Sequence, residues 1–182
     1  MNKKLKIVSV VVVAAIALLS GLWWAQKAQH SGDPNVEKVA DIASFMPLEL
    51  SDTQGVKYSI ASKMGRLNLI NFWATWCGPC RNEMPLFDVF YQKNQADGFV
   101  VIGLTIDTAE RAESFLQEVG ISYPVLMAEE QGWDLLKSFG NSRALLPYSV
   151  LVDGDGRVLE QKLGEIHEEE LQGWFEKYLK SS

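Results

Sequence analysis

The chain has 182 residues, 47% hydrophobic and 22% charged, with a formal net charge of −6 and only two cysteines. That length suits one domain with a short appendage, and the apolar content is too high for a disordered chain. Two cysteines are too few for a disulfide-dense scaffold, and the acidic balance argues against nucleic acid as a partner.

The charge is divided unevenly along the chain. Residues 1–28 hold Lys3, Lys4, Lys6 and Lys27 and no acid; the remaining residues hold 13 Lys and Arg against 23 Asp and Glu. From Ile7 to Ala25 the sequence is apolar apart from Ser9, Ser20 and Gly21. As a helix rising about 1.5 Å per residue it spans about 28 Å, close to the ~30 Å of a bilayer core. Lysines before it keep the N-terminus in the cytoplasm, and Trp23 and Trp24 suit the far interface. A cleaved signal peptide needs small residues one and three positions before the cut. The stretch Leu22–Ala28 supplies no good pair. The expectation is an uncleaved signal-anchor over 1–25, a linker over 26–44 and a folded domain over 45–182. That domain then lies on the periplasmic, extracytoplasmic side of the cytoplasmic (inner) membrane.

Phe45–Ile60 reads as a small hairpin around Asp52-Thr53-Gln54-Gly55. Leu67–Trp73 reads as a strand leading into Cys77-Gly78-Pro79-Cys80 and then a helix to about Gln95. Phe99–Thr105 is a near-continuous apolar run, the pattern of a strand buried on both faces. A helix follows over Ala109–Val119 with Gly120 beyond its end, then a strand over Pro124–Met127 and a helix over Gln131–Phe139. Tyr148–Val152 and Arg157–Leu163 are strands joined by a hairpin turn at Asp153-Gly154-Asp155-Gly156. That turn lacks the spaced ligand series of a calcium loop. The last helix has Leu171, Trp174, Phe175, Tyr178 and Leu179 on one face and Glu168, Glu169 and Glu170 in its first turn. Alternating strands and helices closed by a hairpin and a helix indicate an α/β fold, with a mixed sheet and helices on both faces.

Two cysteines three positions apart, after a strand and at a helix start, have a specific chemistry. The thiolate is the species that attacks a disulfide. A helix N-terminus has unpaired N–H groups and about half a positive charge, which favour an anion there. A thiol of pKa ~8.5 is about 3% ionised at pH 7; at pKa ~7 it is about half ionised, a shift of about 2 kcal/mol. Pro79 suits the first helical turn because it lacks a donor that would have no partner there. By position, Cys77 is expected to be exposed and nucleophilic, and Cys80 to be more buried and to resolve the mixed disulfide. A structural disulfide or half a metal site are the competing readings. With only His30 and His167 besides, the chain's cysteines and histidines cannot assemble a four-ligand zinc site around the pair.

Asn71-Phe72-Trp73-Ala74-Thr75-Trp76-Cys77-Gly78-Pro79-Cys80 resembles the thioredoxin superfamily. With Arg81-Asn82-Glu83-Met84-Pro85 following, the chain resembles more narrowly the membrane-anchored TlpA/ResA-like thiol–disulfide oxidoreductases, over about residues 45–180. The resemblance implies a thioredoxin fold with an N-terminal hairpin and an extra strand–helix insertion between Phe99 and Phe139. It also implies a kink at Pro85 and a cis-proline at Leu146-Pro147. Client proteins would dock on Trp76, Gly78, Pro79, Leu146 and Pro147. Plain thioredoxins carry an acid where Asn71 stands, and an amide takes no proton; the resemblance implies Glu83 as the acid–base group beside Cys77 and Cys80.

No cofactor is expected beyond the redox-active Cys77–Cys80 disulfide. The implied activity is reduction of disulfides in client proteins, with a membrane thiol transporter as electron donor and apocytochrome c, during cytochrome maturation, as one acceptor. The other readings are a disulfide-forming thiol oxidase, a peroxiredoxin-like peroxidase, and a copper-handling module on the same fold using His167.

Overall fold

The computed structural model describes residues 35–179. The anchor expected over residues 1–25 and the first part of the linker lie outside the described residues. Among the described residues no helix is long and apolar enough to cross a membrane.

Seven strands form one sheet: β1 (Glu49–Ser51), β2 (Lys57–Ser59), β3 (Leu67–Trp73), β4 (Phe99–Thr105), β5 (Val125–Met127), β6 (Tyr148–Asp153) and β7 (Val158–Leu163). Their spatial order is β2-β1-β5-β4-β3-β6-β7. β3, β4 and β5 run parallel, and the hairpins β1–β2 and β6–β7 flank them in antiparallel pairing. Among the described residues, four α-helices complete the fold: α1 (Gly78–Asn94), α2 (Ala109–Val119), α3 (Gly132–Ser138) and α4 (Glu168–Tyr178). This is the thioredoxin fold with the additional unit α2–β5 between the central strands.

β3 is buried along its whole length, and its pleat sends alternate side chains into two separate cores. Leu67, Leu69 and Trp73 meet Cys80, Met84 and Phe87 of α1, Phe115 of α2 and Leu171 and Phe175 of α4. Ile70 and Phe72 meet Leu135 and Leu136 of α3, together with Phe139 and Tyr148. The parallel register pairs Trp73 with Thr105 and Thr105 with Met127. The C-terminal ends of three parallel strands therefore share one rim of the sheet, the place where α/β folds carry their sites.

The linker expectation needs correction over residues 35–44. Val36 bridges Asn141 and Asp41 bridges Arg157. Ile42 N–H donates to Gly156 O at 2.8 Å and Val158 N–H to Ala40 O at 3.0 Å. This segment runs beside β7, an edge strand whose free backbone groups need a partner. Ile42 itself is fully buried in the second core. The Asp153–Gly156 turn shapes the seat: Gly156 has φ +84, and a Cβ there would lie 2.7 Å from Met46 Sδ. Polar composition made the segment read as a linker, but main-chain bonds and one isoleucine are enough to seat it.

Ile42→Ala is expected to destabilise the protein by about 2–5 kcal/mol, as for any fully buried aliphatic truncation. Denaturant unfolding checks this; a change within about 0.5 kcal/mol is what a free linker would show.

Candidate active site

Cys77 is the N-cap of α1. Its backbone is extended (φ −86°, ψ 103°) and its Sγ accepts the Cys80 N–H at 3.3 Å. Pro79 lies in the first turn, where no carbonyl waits for its missing donor. Cys77 and Cys80 are joined in a disulfide. The helix continues through Pro85 to Asn94. Cys77 is not as exposed as its position implied: it is 6% accessible and Cys80 is fully buried. The reason is local, since Sγ of Cys77 is turned inward to its partner sulfur and to the Cys80 amide. Trp76 carries the exposure instead, at 61%. Gly78 and Pro79 are exposed beside it.

The turn that delivers Cys77 is clamped from the neighbouring strand. Cys77 N–H donates to Ala74 O at 3.1 Å. Within that turn, Thr75 donates both its backbone N–H (2.7 Å) and its hydroxyl (2.6 Å) to Asp107 Oδ2, just beyond β4. Asp107 is itself braced by its N–H to Thr105 Oγ1 at 3.1 Å. Sequence reading did not single out Asp107; its only signal was an acid directly after a buried strand.

Leu146 and Pro147 arrive from a separate loop before β6. Their peptide bond is cis. Buried Asn141 shapes that loop, donating from Nδ2 to Leu145 O at 2.7 Å and accepting the Leu145 N–H at 3.2 Å. Leu145 is 43% exposed. Leu146 packs against the apolar cluster that contains both cysteines. Pro147 is buried, and its carbonyl accepts the Gly164 N–H at 2.9 Å.

Glu83 lies three residues after Cys80, on the same face of α1 one turn on. It is 1% exposed, so it is not a solvated first-turn glutamate. Asn71 Nδ2 donates to its Oε1 at 2.8 Å, and the Ile166 backbone N–H donates to its Oε2 at 2.9 Å. Asn71 Nδ2 also donates to Ser149 Oγ at 2.9 Å. Burial pushes the Glu83 pKa up to about 8, against the pull of the Ile166 and Asn71 hydrogen bonds; the charges of Glu165 and Glu170 add to the rise. Asn71 takes no proton, as its amide dictates, but it holds the residue that can. A cleft of about 610 Å³ between Gln54, Glu113 and Ser122–Leu126 contains none of the motif residues.

A cysteine pair bridged at a helix N-terminus, a buried carboxyl one turn beyond it and a proline loop facing the same core define a thioredoxin-fold thiol–disulfide oxidoreductase. A family model described as Redoxin matches residues 30–174, and the chain belongs to that family. The chain is 35% identical over 129 residues to the thiol-disulfide oxidoreductase ResA of Bacillus thuringiensis (strain Al Hakam), covering 70% of this chain and 72% of that protein. It is 25% identical to the sporulation thiol-disulfide oxidoreductase A of Bacillus subtilis (strain 168), over 97% of this chain and 99% of that one. Among solved structures, a putative thiol:disulfide interchange protein DsbE from Chlorobium tepidum superposes with a TM-score of 0.66 at 26% identity, covering 79% of this chain and 99% of that one. The protein is a TlpA/ResA-like member of the thioredoxin superfamily, and its activity is protein thiol–disulfide exchange.

A carboxyl whose pKa rises from 4.5 to about 8 on folding binds its proton more tightly in the native state. Its contribution to stability is fully present below pH 4.5 and is lost as pH rises through about 8. Across that window the unfolding free energy of the wild type is expected to fall with rising pH more steeply than that of Glu83→Gln, by one proton or about 1.4 kcal/mol per pH unit. Denaturant titrations at stepped pH measure it.

Proposed function

We propose that this protein reduces disulfides in client proteins on the extracytoplasmic face of the cytoplasmic membrane, held there by residues 1–25. The observation that carries the reading is Glu83, buried one turn beyond Cys80 and poised to exchange a proton near neutral pH. The reaction starts from the dithiol. The Cys77 thiolate attacks one sulfur of the client disulfide; that S–S bond breaks, a Cys77–client mixed disulfide forms, and the client's first thiolate leaves and takes a proton from solvent. Glu83 then accepts the Cys80 proton, and the Cys80 thiolate attacks Cys77 Sγ. The second client thiolate leaves, and the Cys77–Cys80 disulfide is the oxidised product. Two electrons pass to the client.

Trp76, Gly78, Pro79, Leu146 and Pro147 form the docking surface, with the main chain of Leu146 pairing an extended client segment. An oxidising compartment does not regenerate the dithiol, so a membrane thiol transporter supplies the electrons. The Gly-Pro pair between the cysteines and the TlpA/ResA-like resemblance support the reducing direction, and the same resemblance supports the Cys-x-x-Cys-His segment of apocytochrome c as a client. No bound cofactor is needed, because the disulfide itself carries the electrons.

Cys80→Ser in the full-length protein is expected to accumulate a mixed disulfide on Cys77 whose mass identifies the client. Accumulation in Cys77→Ser instead contradicts the assignment of roles. The reduction potential, read by equilibration with glutathione, is expected at or below about −200 mV; a value near −120 mV marks a disulfide-forming protein.

A further inference from the structure

Beneath α1 lies a second buried acidic hydrogen that the exchange reaction has not used. Tyr123, just before β5, is 3% exposed, and its hydroxyl has no hydrogen-bond partner. A buried polar group left unmatched costs free energy, and such groups collect where a protein needs them. Its surroundings are those of the active site. Asn71, which holds Glu83, pairs across the sheet with Gly103. A Cβ on Gly103 would lie 3.0 Å from Trp73 Nε1 and 3.3 Å from Tyr123 Cε2, so the phenol ring rests on the strand directly beside the Asn71–Glu83 pair. Any larger residue there would require these neighbours to give by a few tenths of an ångström.

We propose that Tyr123 is a positioning residue for proton transfer: its O–H donates to the Glu83 carboxylate that then takes up the Cys80 proton. This rests on the reading of Glu83 as the proton acceptor. The proton passes from Cys80 Sγ to a Glu83 oxygen in the resolving step. Before it does so, the ionised carboxyl must exist in an apolar layer, where Asn71 and Ile166 supply two donors and an ionised carboxyl accepts more. The other acid facing Tyr123 is Asp88. Its oxygens already take the Ser122 N–H and hydroxyl and the Gln92 side-chain amide. Burial, then the charges of Glu83 and Asp88, keep the Tyr123 phenol well above its ordinary pKa, so it stays a donor. The remaining groups that bear on Glu83, Glu165 after β7 and Glu170 of α4, oppose its ionisation.

The test is the pH profile of client reduction by the full-length dithiol protein, with a synthetic Cys-x-x-Cys disulfide peptide as probe and the resolving step followed by stopped flow. Tyr123→Phe removes only an oxygen with no partner, so a purely structural role leaves the profile in place. The proposal expects the limb governed by Glu83 to move up by about one pH unit, with the resolving rate at pH 7 falling about tenfold, the size of one hydrogen bond to a charged group. Thermal stability is expected to be unchanged or higher. In a Glu83→Gln background, Tyr123→Phe is expected to have no further effect. An unshifted profile in Tyr123→Phe, or an undiminished effect when Glu83 is already glutamine, overturns the proposal. A Glu83→Gln protein that resolves at the normal rate and pH would instead overturn the reading of Glu83 on which it rests.

Discussion

One buried carboxyl sets the terms for the rest of this molecule. Glu83 lies under the first turns of α1, where an ionised side chain costs several kcal/mol unless it is neutralised or matched by donors. Both solutions are present at once. Burial away from water raises its affinity for a proton, while Asn71 and the Ile166 amide hold both oxygens. The balance puts its midpoint at about 8, so that at neutral pH it is mostly protonated with a minor ionised fraction. A glutamate in that condition exchanges protons with a thiol at little energetic cost, whereas one at its ordinary pKa would hold protons too weakly. Asn71 on β3, itself bonded to Ser149 on β6, and the segment before α4 converge on this side chain. The sheet therefore frames a proton site as well as supporting a helix.

The same economy governs the sulfur side. Cys77 is delivered by a turn that Asp107 clamps from the end of β4, and Leu146 by a loop that Asn141 clamps from within. Two short polar side chains, each buried and each bonded to the turn or loop it holds, bring separate loops to one rim. The disulfide is then nearly sealed, with Cys77 at 6% exposure, and Trp76 and Leu145 stand out beside it. In the proposed function a client meets this apolar collar before it meets sulfur and pairs along the Leu146 main chain.

Much of this was legible in the sequence. The run Leu67–Trp73, the cysteine spacing and the long apolar run from Phe99 fixed the central strands and the helix start, because hydrophobic period and capping chemistry are local signals. The contacts across the sheet were not local. Glu83 sat in a first turn with Arg81 and Asn82, and nothing nearby in sequence showed that Ile166, eighty-three residues on, would close over it. Asn71 read as the loss of an acid, while in the fold it is the donor that holds the substitute. Gly103 read as one residue of the buried run from Phe99, and Tyr123 carried no signal; the register sets Gly103 beside Asn71, and the Tyr123 ring lies against that glycine. Residues 35–44 read as linker because edge-strand covering is written in backbone bonds, to which composition is blind.

The central claim is the protonation state of one side chain, and it can be observed directly. With carboxyl carbons labelled, the Glu83 resonance in the disulfide form can be followed by NMR across the pH range. The account predicts a midpoint near 8, where burial holds it. A midpoint at the ordinary glutamate value of about 4.3 would show a solvated carboxylate and contradict it.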